Sequence, residues 1–211
     1  MSELKKKDSN YSAFSRWVNY RSEIKLLDCT IRDGGLMNKH LFDDDIVKSV
    51  YNACVDAGID YMEFGYKASD KIFSRDEFGA WKFCNEDDVR RIVDDNDTNL
   101  KLSVMADTER TDYRNDILAK EQSVFDMIRV ATYIHQIPAA IDIVEDAAQK
   151  GYETTLNLMA VSTVPEKEVD EALELVAKSS VKYIYLVDSF GSLYSEQVQY
   201  LMGKYLRYAS D

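Results

Sequence analysis

Cysteine, proline and histidine are scarce in this sequence, and the cysteine pattern excludes two classes of small protein. The 211 residues include three cysteines, Cys29, Cys54 and Cys84, an odd number at wide spacing with no C-x-x-C pair. This pattern argues against a disulfide framework and against a zinc ribbon, so the thiols are predicted to be reduced. With 45% hydrophobic residues and only two prolines, the chain can bury a sizeable core as one domain or a large part of one.

Positive charge and long apolar runs are also lacking. Lys and Arg number 26 against 38 Asp and Glu, which gives a formal net charge of -12. A surface of this charge repels polyanions, which argues against nucleic acid as a partner. No run approaches the roughly 18 apolar residues of a membrane span, and the N-terminus lacks the apolar core of a signal peptide. The sequence therefore predicts a cytoplasmic protein with no membrane partner.

Short apolar runs alternate with amphipathic segments along most of the chain. Strands are predicted at residues 24–29, 61–64, 100–105, 127–131, 155–160 and 183–187. Helices are predicted at residues 43–57, 86–94, 138–150, 166–178 and 195–208, with 110–123 the weakest helical segment. Buried strands joined by helices indicate a parallel α/β sheet, either doubly wound or closing into a barrel.

The repeat length favours the barrel. Each strand and helix together take about 30 residues, as in a (β/α)8 TIM barrel, but only six of the eight units are present. The predicted fold is therefore an incomplete TIM barrel over residues 24–211. Residues 1–23 are predicted to form an N-terminal arm, with a helix that plugs the barrel floor or meets a partner as the alternative.

Polar residues follow the predicted strands at the ends where active sites of parallel α/β proteins lie. Each is costly to bury unless it is paired or bound to a ligand. Together they predict a polar site built from Asp28, Arg32, Asp33, Glu63, Arg129, Asn157, Ser162 and Asp188.

Five stretches of the sequence resemble a known superfamily: LDCTIRDGG, IDYMEFGY, IRVATYIHQ, TTLNLMAVS and YLVDSFGS. They are similar to the DRE-TIM metallolyases, the pyruvate-carboxyltransferase-like group that includes HMG-CoA lyase. The RVAT and VDSFG segments most resemble the 4-hydroxy-2-oxovalerate aldolase branch. The resemblance covers residues 24 to about 208, and its D-x-T-x-R-D-G motif is the most specific part.

The resemblance implies roles for three residues. Asp33 would ligate a divalent cation, Mg²⁺ or Mn²⁺, for which a carboxylate is a suitable ligand. Arg32 would stabilise the enolate oxygen that develops when a carbon–carbon bond next to a carbonyl breaks, and Glu63 would hold Arg32 in place. Gly34 and Gly35 are expected to let the backbone turn closely around this site.

The other strand-end residues, Asp28, Arg129, Asn157, Ser162 and Asp188, are expected to bind substrate or to orient the groups that do. For Arg129 two hypotheses stay open. Its guanidinium could hold a substrate carboxylate, or it could form an ion pair with a neighbouring acid inside the protein.

The chain departs from the superfamily in its histidines. The two further metal ligands of the family form an H-x-H pair on strand seven, whereas this chain has only His40 and His135 and no predicted strand seven or eight. Three explanations are open: a fragment of a longer protein, a short relative that recruits the missing units from another chain, or a remnant without catalysis.

The general base is not identified by the sequence. Some relatives have a histidine three residues after the RDG aspartate, where this chain has Leu36. His40 is the alternative, but the sequence favours an ordinary polar loop for it, and His135 is expected at a helix start.

The resemblance implies an aldolase or lyase that uses pyruvate enolate chemistry, with a 2-oxo acid and an aldehyde as small-molecule partners. Two alternatives remain: a condensing enzyme for acyl-CoA and 2-oxo acids, or a truncated, non-catalytic binding or assembly domain. A homo-oligomer is also predicted, because an incomplete barrel exposes two strand edges and the aromatic-rich tail YLMGKYLRY could meet a partner. The alternative for this tail is packing against the core of its own sheet.

Overall fold

A parallel sheet of six strands organises residues 21–208, the part of the chain that the computed structural model describes. The strands are β1 (Leu27–Asp28), β2 (Tyr61–Tyr66), β3 (Lys101–Asp107), β4 (Met127–Thr132), β5 (Glu153–Leu158) and β6 (Tyr183–Leu186). They lie side by side in chain order, and every neighbouring pair is parallel. A doubly wound sheet would reverse its order at a switch point, so this order is that of an incomplete (β/α)8 barrel, as predicted.

Helices connect the strands. They are α1 (Thr30–Asn38), α2 (Asp44–Ala57), α3 (Glu86–Val93), α4 (Tyr113–Asp116), α5 (Ile137–Gln149), α6 (Glu166–Val176) and α7 (Ser195–Tyr208), with short 3₁₀ helices at Ala80–Lys82, Lys120–Gln122, Ile134–Gln136 and Val161–Thr163. Among residues 21–208 no helix is long and apolar enough to cross a membrane. Residues 1–20 lie outside the described part, so the division of the chain at residue 23 stays a prediction.

The sheet has one apolar face, which packs against the helices, and one face that carries polar and charged side chains. Side chains of neighbouring residues in a strand point to opposite faces of the sheet. One face presents buried apolar side chains to the helices, such as Phe64, Val104 and Leu156. The strand register places Met105 beside Arg129 and Asp107 beside Ala131 on the other face. Charged groups therefore collect on the concave side of the sheet.

Helix α1 was not predicted, and it contains the whole RDGG segment. The two glycines do not form a turn, which corrects the expectation for Gly34 and Gly35. Instead, Gly35 is buried in α1, where a Cβ would overlap the imidazole of His40. Glycine is needed here for close packing, and its low helix propensity hid the helix from the sequence pattern.

Several boundaries differ from the prediction. Strand β1 has two residues rather than six, because Ile24 and Leu26 are more than half exposed and do not pair along a full strand. Strand β5 ends at Leu158, since Ala160 adopts a positive φ and begins the 3₁₀ helix Val161–Thr163. The segment at residues 110–123 is mostly irregular, with only the one-turn α4 and a 3₁₀ turn.

Candidate active site

An open cavity of about 730 Å³ lies at the carboxyl ends of the strands. The wall includes polar side chains from α1, from strands or the loops that follow them, and from a 3₁₀ helix, among them Arg32, Asp33, Lys82, Asp107, Asn157 and Asp188. This is where parallel α/β folds place their ligands, because the strand-end loops converge there.

Glu63 on β2 is the centre of an ion-pair cluster beneath this wall. Its side chain is fully buried, and Oε2 accepts hydrogen bonds from Arg32 Nε at 2.8 Å and from Arg129 Nη1 at 2.7 Å. The thiol of Cys29 also donates to Oε2, at 3.5 Å. The buried part of the cluster thus holds two guanidinium groups against one carboxylate, while the exposed Asp33 carboxylate pairs with Arg32 from the solvent side.

Arg32 joins this cluster to the cavity. Its Nε is held by Glu63, while Nη1 donates to Asp33 Oδ1 at 2.7 Å. Burial alone would lower the pKa of Arg32, but the Glu63 carboxylate beside it raises the pKa above its ordinary value. The guanidinium is therefore a permanent and fixed positive charge on the cavity wall.

Arg129 on β4 lies deeper than Arg32. It is 4% exposed, its guanidinium carbon lies 4.6 Å from the ring centre of Tyr185, and Nη2 is 3.4 Å from Asn157 Oδ1. Nη1 forms the ion pair with the buried Glu63, as the interior ion-pair alternative describes, and binding of a substrate carboxylate by Arg129 stays a prediction. Burial would lower the pKa of Arg129, but Glu63 raises it above its ordinary value.

Asn157 and Asp188 both line the cavity, but they differ in their surroundings and hydrogen bonds. Asn157 on β5 is 6% exposed and lines the wall next to Arg129. The Asp188 carboxylate accepts backbone hydrogen bonds from Leu193 and Ser192, which lower the pKa of this carboxyl. Asp188 therefore shapes the loop after β6 at the rim of the cavity.

Asp28 and Ser162 are not brought to the cavity wall. The Asp28 carboxylate accepts hydrogen bonds from the backbone N–H and the hydroxyl of Thr30, at 3.0 and 2.9 Å, and so fixes the start of α1. Ser162 lies on the 3₁₀ helix after β5, where its hydroxyl faces Ser192 at 3.4 Å. Both residues lie close to the site in sequence but act locally in the fold.

Lys82, Tyr66 and Asp107 were missed by the sequence reasoning. Lys82 is 6% exposed, and its ammonium lies 4.4 Å from the ring centre of Tyr66 and 4.3 Å from that of Phe73. Burial lowers the pKa of Lys82 and raises that of Tyr66 to about 12. Asp107 ends β3, so the strand-end reasoning applied to KLSVMAD could have found it, whereas Lys82 follows a long loop with no such signal.

His40 is not in an ordinary polar loop, which corrects that expectation. It is 1% exposed, has a φ of 60°, and packs edge-on to Tyr66 with 5.4 Å between ring centres. Within the described residues Nδ1 has no hydrogen-bond partner. Burial lowers the pKa of His40 to about 4, so the ring is neutral. His135 lies in the 3₁₀ helix before α5, stacked on Tyr133, at the helix start that the sequence predicted.

A complete divalent-cation site is not formed by residues 21–208. No group of three or more His, Cys, Asp or Glu side chains in this part of the chain is arranged to hold a metal ion. Asp33 is 67% exposed and its carboxylate is paired with Arg32. One carboxylate is a poor site for Mg²⁺ or Mn²⁺, which prefer about six oxygen ligands.

The fold and cavity define the class of protein: an incomplete TIM barrel with a cationic cluster at the carboxyl ends of its first strands. No family model matches the chain. Curated relatives that match the chain include 4-hydroxy-2-oxovalerate aldolases. One from Rhodococcus opacus is 24% identical over 83% of this chain and 51% of its own length, and one from Rhodococcus erythropolis is 24% identical over 83% and 50%. The chain thus spans about half the length of these relatives.

Solved structures give the same result. The N-terminal domain of a "putative aldolase" from Bacteroides vulgatus superposes with a TM-score of 0.76 and 26% identity, over 89% of this chain and 62% of that one. The HMG-CoA lyase of Brucella melitensis superposes with a TM-score of 0.65 at 16% identity, over 88% and 68%, and shows the fold alone. These comparisons confirm the resemblance: the chain is similar to members of the DRE-TIM, HMG-CoA lyase-like superfamily.

Proposed function

We propose that this chain carries the enolate-binding part of an aldolase that makes or breaks a carbon–carbon bond next to a 2-oxo acid. The observation that carries the proposal is the fixed guanidinium of Arg32 on the cavity wall, held by the buried Glu63 carboxylate, which Arg129 also contacts. The names of the relatives, 4-hydroxy-2-oxovalerate aldolases, support the same reaction class.

In the cleavage direction, the electron pair of the breaking carbon–carbon bond moves to the carbonyl oxygen of the 2-oxo acid, and an aldehyde leaves. Arg32 stabilises the oxygen as it gains negative charge. A donor that is already oriented acts strongly in such a site, because it need not reorganise during the reaction. Glu63 is a positioning residue, since it holds Arg32 through Nε and does not itself face the cavity.

Dependence on Mg²⁺ or Mn²⁺ stays a prediction from the superfamily resemblance, with Asp33 as the one matching ligand. The described residues do not complete a metal site, so no step above is assigned to an ion. The roles of Asn157 and Asp188 in substrate binding and the division of the chain at residue 23 are likewise proposals.

The test is release of pyruvate from 4-hydroxy-2-oxovalerate by the 211-residue chain, with Mg²⁺ or Mn²⁺ added. Arg32→Lys should lower kcat/KM on the order of 100-fold, because an ammonium cannot hold Glu63 and the oxyanion together. Arg114→Lys, at an exposed arginine on α4, is the matched control and should have no effect.

Equal activity of the wild type and Arg32→Lys would contradict the role of Arg32. Product from an acyl-CoA and a 2-oxo acid, without aldol cleavage, would favour the condensing alternative. No product in either reaction would favour the non-catalytic one.

A further inference from the structure

We propose that Asp107, at the end of β3, is the general base that takes the hydroxyl proton of the substrate in this reaction. The inference rests on the proposed function and adds the group that the sequence left unidentified. Retro-aldol cleavage of a 4-hydroxy-2-oxo acid cannot proceed unless a base accepts the proton of the 4-hydroxyl group.

The position of Asp107 fits this task. Its register with Ala131 places its side chain on the concave face of the sheet, and it lines the same cavity as Arg32. Among residues 21–208 no donor lies within hydrogen-bond distance of its carboxylate, and the nearest cation is Arg110 Nη1 at 3.9 Å. The side chain is 19% exposed, so its lone pairs are open to the cavity.

The other carboxylates on the wall are already engaged. Asp33 accepts from Arg32 at 2.7 Å, and Asp188 accepts from two backbone N–H groups. Glu109 is exposed at the rim and accepts from Gln136 Nε2 at 2.8 Å. His40 is buried behind Gly35 and is not on the cavity wall.

The electrostatic surroundings make Asp107 a stronger base than a surface carboxylate. Burial raises its pKa, and this effect outweighs the nearby cations Lys82, Arg110 and Arg32, while Glu63 raises the pKa further. Burial raises the pKa of the Tyr66 phenol, and the charge of Asp107 raises it further. Lys82 has no carboxylate within 4.0 Å in the described residues, and its aromatic surroundings hold a positive charge near Asp107. A carboxylate with raised basicity is better suited to accept a proton near neutral pH.

The proposed step moves one proton and breaks one carbon–carbon bond. Asp107 takes the proton from the 4-hydroxyl, the C4–O bond becomes a carbonyl, and the C3–C4 bond breaks. The electron pair of the broken C3–C4 bond forms the C2–C3 double bond of the enolate. The negative charge of the enolate lies on its oxygen, which faces Arg32. The carboxylic acid of Asp107 then returns the proton to C3, which yields pyruvate and restores the carboxylate.

Two reactions that form the same enolate can distinguish a role of Asp107 as a base from a purely structural role. Cleavage of 4-hydroxy-2-oxovalerate requires removal of a hydroxyl proton, whereas decarboxylation of oxaloacetate forms the same pyruvate enolate without it. In the 211-residue chain, Asp107→Asn should lower kcat for cleavage on the order of 100-fold and change the decarboxylation rate less than threefold. Retained decarboxylation also shows that the variant is folded. Glu109→Gln removes the same charge from the rim and should leave both rates within threefold.

Parallel loss of both reactions in Asp107→Asn would overturn the inference, because it indicates a structural role. Unchanged cleavage would overturn it as well. A wild-type chain that decarboxylates oxaloacetate but does not cleave the aldol substrate would refute the role of Asp107 as the base. It would still support enolate stabilisation at the Arg32 site. A wild-type chain that does neither would refute the proposed function, and the role of Asp107 with it.

Discussion

Glu63 shows how a single buried residue determines the chemistry of its surroundings. One oxygen of its carboxylate receives two guanidinium donors and a thiol, while within the described residues Oε1 has no partner. Ion pairs of this kind are costly to bury, and apolar residues of similar size often stabilise a protein as well or better. Stability alone therefore does not explain the cluster, whereas a fixed cation on a cavity wall does.

His40 gives a prediction for stability against pH. The pKa of His40 is about 4 in the folded protein and 6.5 for an ordinary histidine, the value expected in the unfolded chain. The unfolded chain therefore binds the proton first as the pH falls. The free energy of unfolding should therefore decrease as the pH falls from 6.5 to 4, by about 2 kcal/mol at pH 5 relative to neutral pH. Urea unfolding at a series of pH values measures this.

The variant His40→Asn isolates the contribution of this one ring, since asparagine tolerates the positive φ at this position. Its stability should lack that part of the decrease between pH 6.5 and 4. His135→Asn, at an exposed histidine, should keep the wild-type dependence. A pH dependence in His40→Asn equal to that of the wild type would show that the ring does not titrate as described.

At the scale of elements, helix α1 depends on a glycine for its packing. A Cβ at Gly35 would overlap the His40 ring, so Gly35→Ala should destabilise the protein by about 1–3 kcal/mol. Gly203 in α7 is exposed with no atom near its Cβ position, so Gly203→Ala should stabilise by about 0.5–1 kcal/mol. Thermal or urea unfolding of both variants measures the difference. Equal effects of the two substitutions would contradict the packing of α1 against His40.

Elements with strong periodicity were predicted from the sequence. Strands β2 to β6 and helices α2, α3, α5, α6 and α7 carry continuous apolar runs or amphipathic stripes, and the structure confirms these elements. Helix α1 was missed because two glycines conceal it, and β1 was overestimated because its apolar residues are exposed. Both errors arise where tertiary packing outweighs local preference.

The candidate site was predictable only in part. Arg32, Asp33 and Glu63 were identified from their positions at predicted strand ends, and the resemblance supplied their expected roles. The structure brings Arg32 into contact with both carboxylates. The burial of His40 and the aromatic surroundings of Lys82 depend on segments distant in the chain, and no local pattern encodes them. Residues that contact one another only through tertiary structure leave no periodic signal in the sequence.

At the scale of the whole molecule, the described residues form six of the eight units of a barrel. Strands β1 and β6 each have one neighbour within residues 21–208, and the chain spans about half the length of its curated relatives. The cationic cluster nevertheless lies entirely on α1, β2 and β4. We therefore expect enolate stabilisation to be a property of this chain, while substrate selectivity depends on more of the cavity than these units provide.

The most direct test of the account is exchange of deuterium from solvent into the methyl group of pyruvate, followed by NMR with Mg²⁺ or Mn²⁺ present. Exchange requires the enolate and no aldehyde, so it tests enolate stabilisation by Arg32 together with proton transfer at the methyl carbon. The wild-type chain should exchange above the buffer rate, and Arg32→Ala should lose exchange on the order of 100-fold. Exchange that persists unchanged in Arg32→Ala, or no exchange by the wild-type chain, would contradict enolate stabilisation by Arg32.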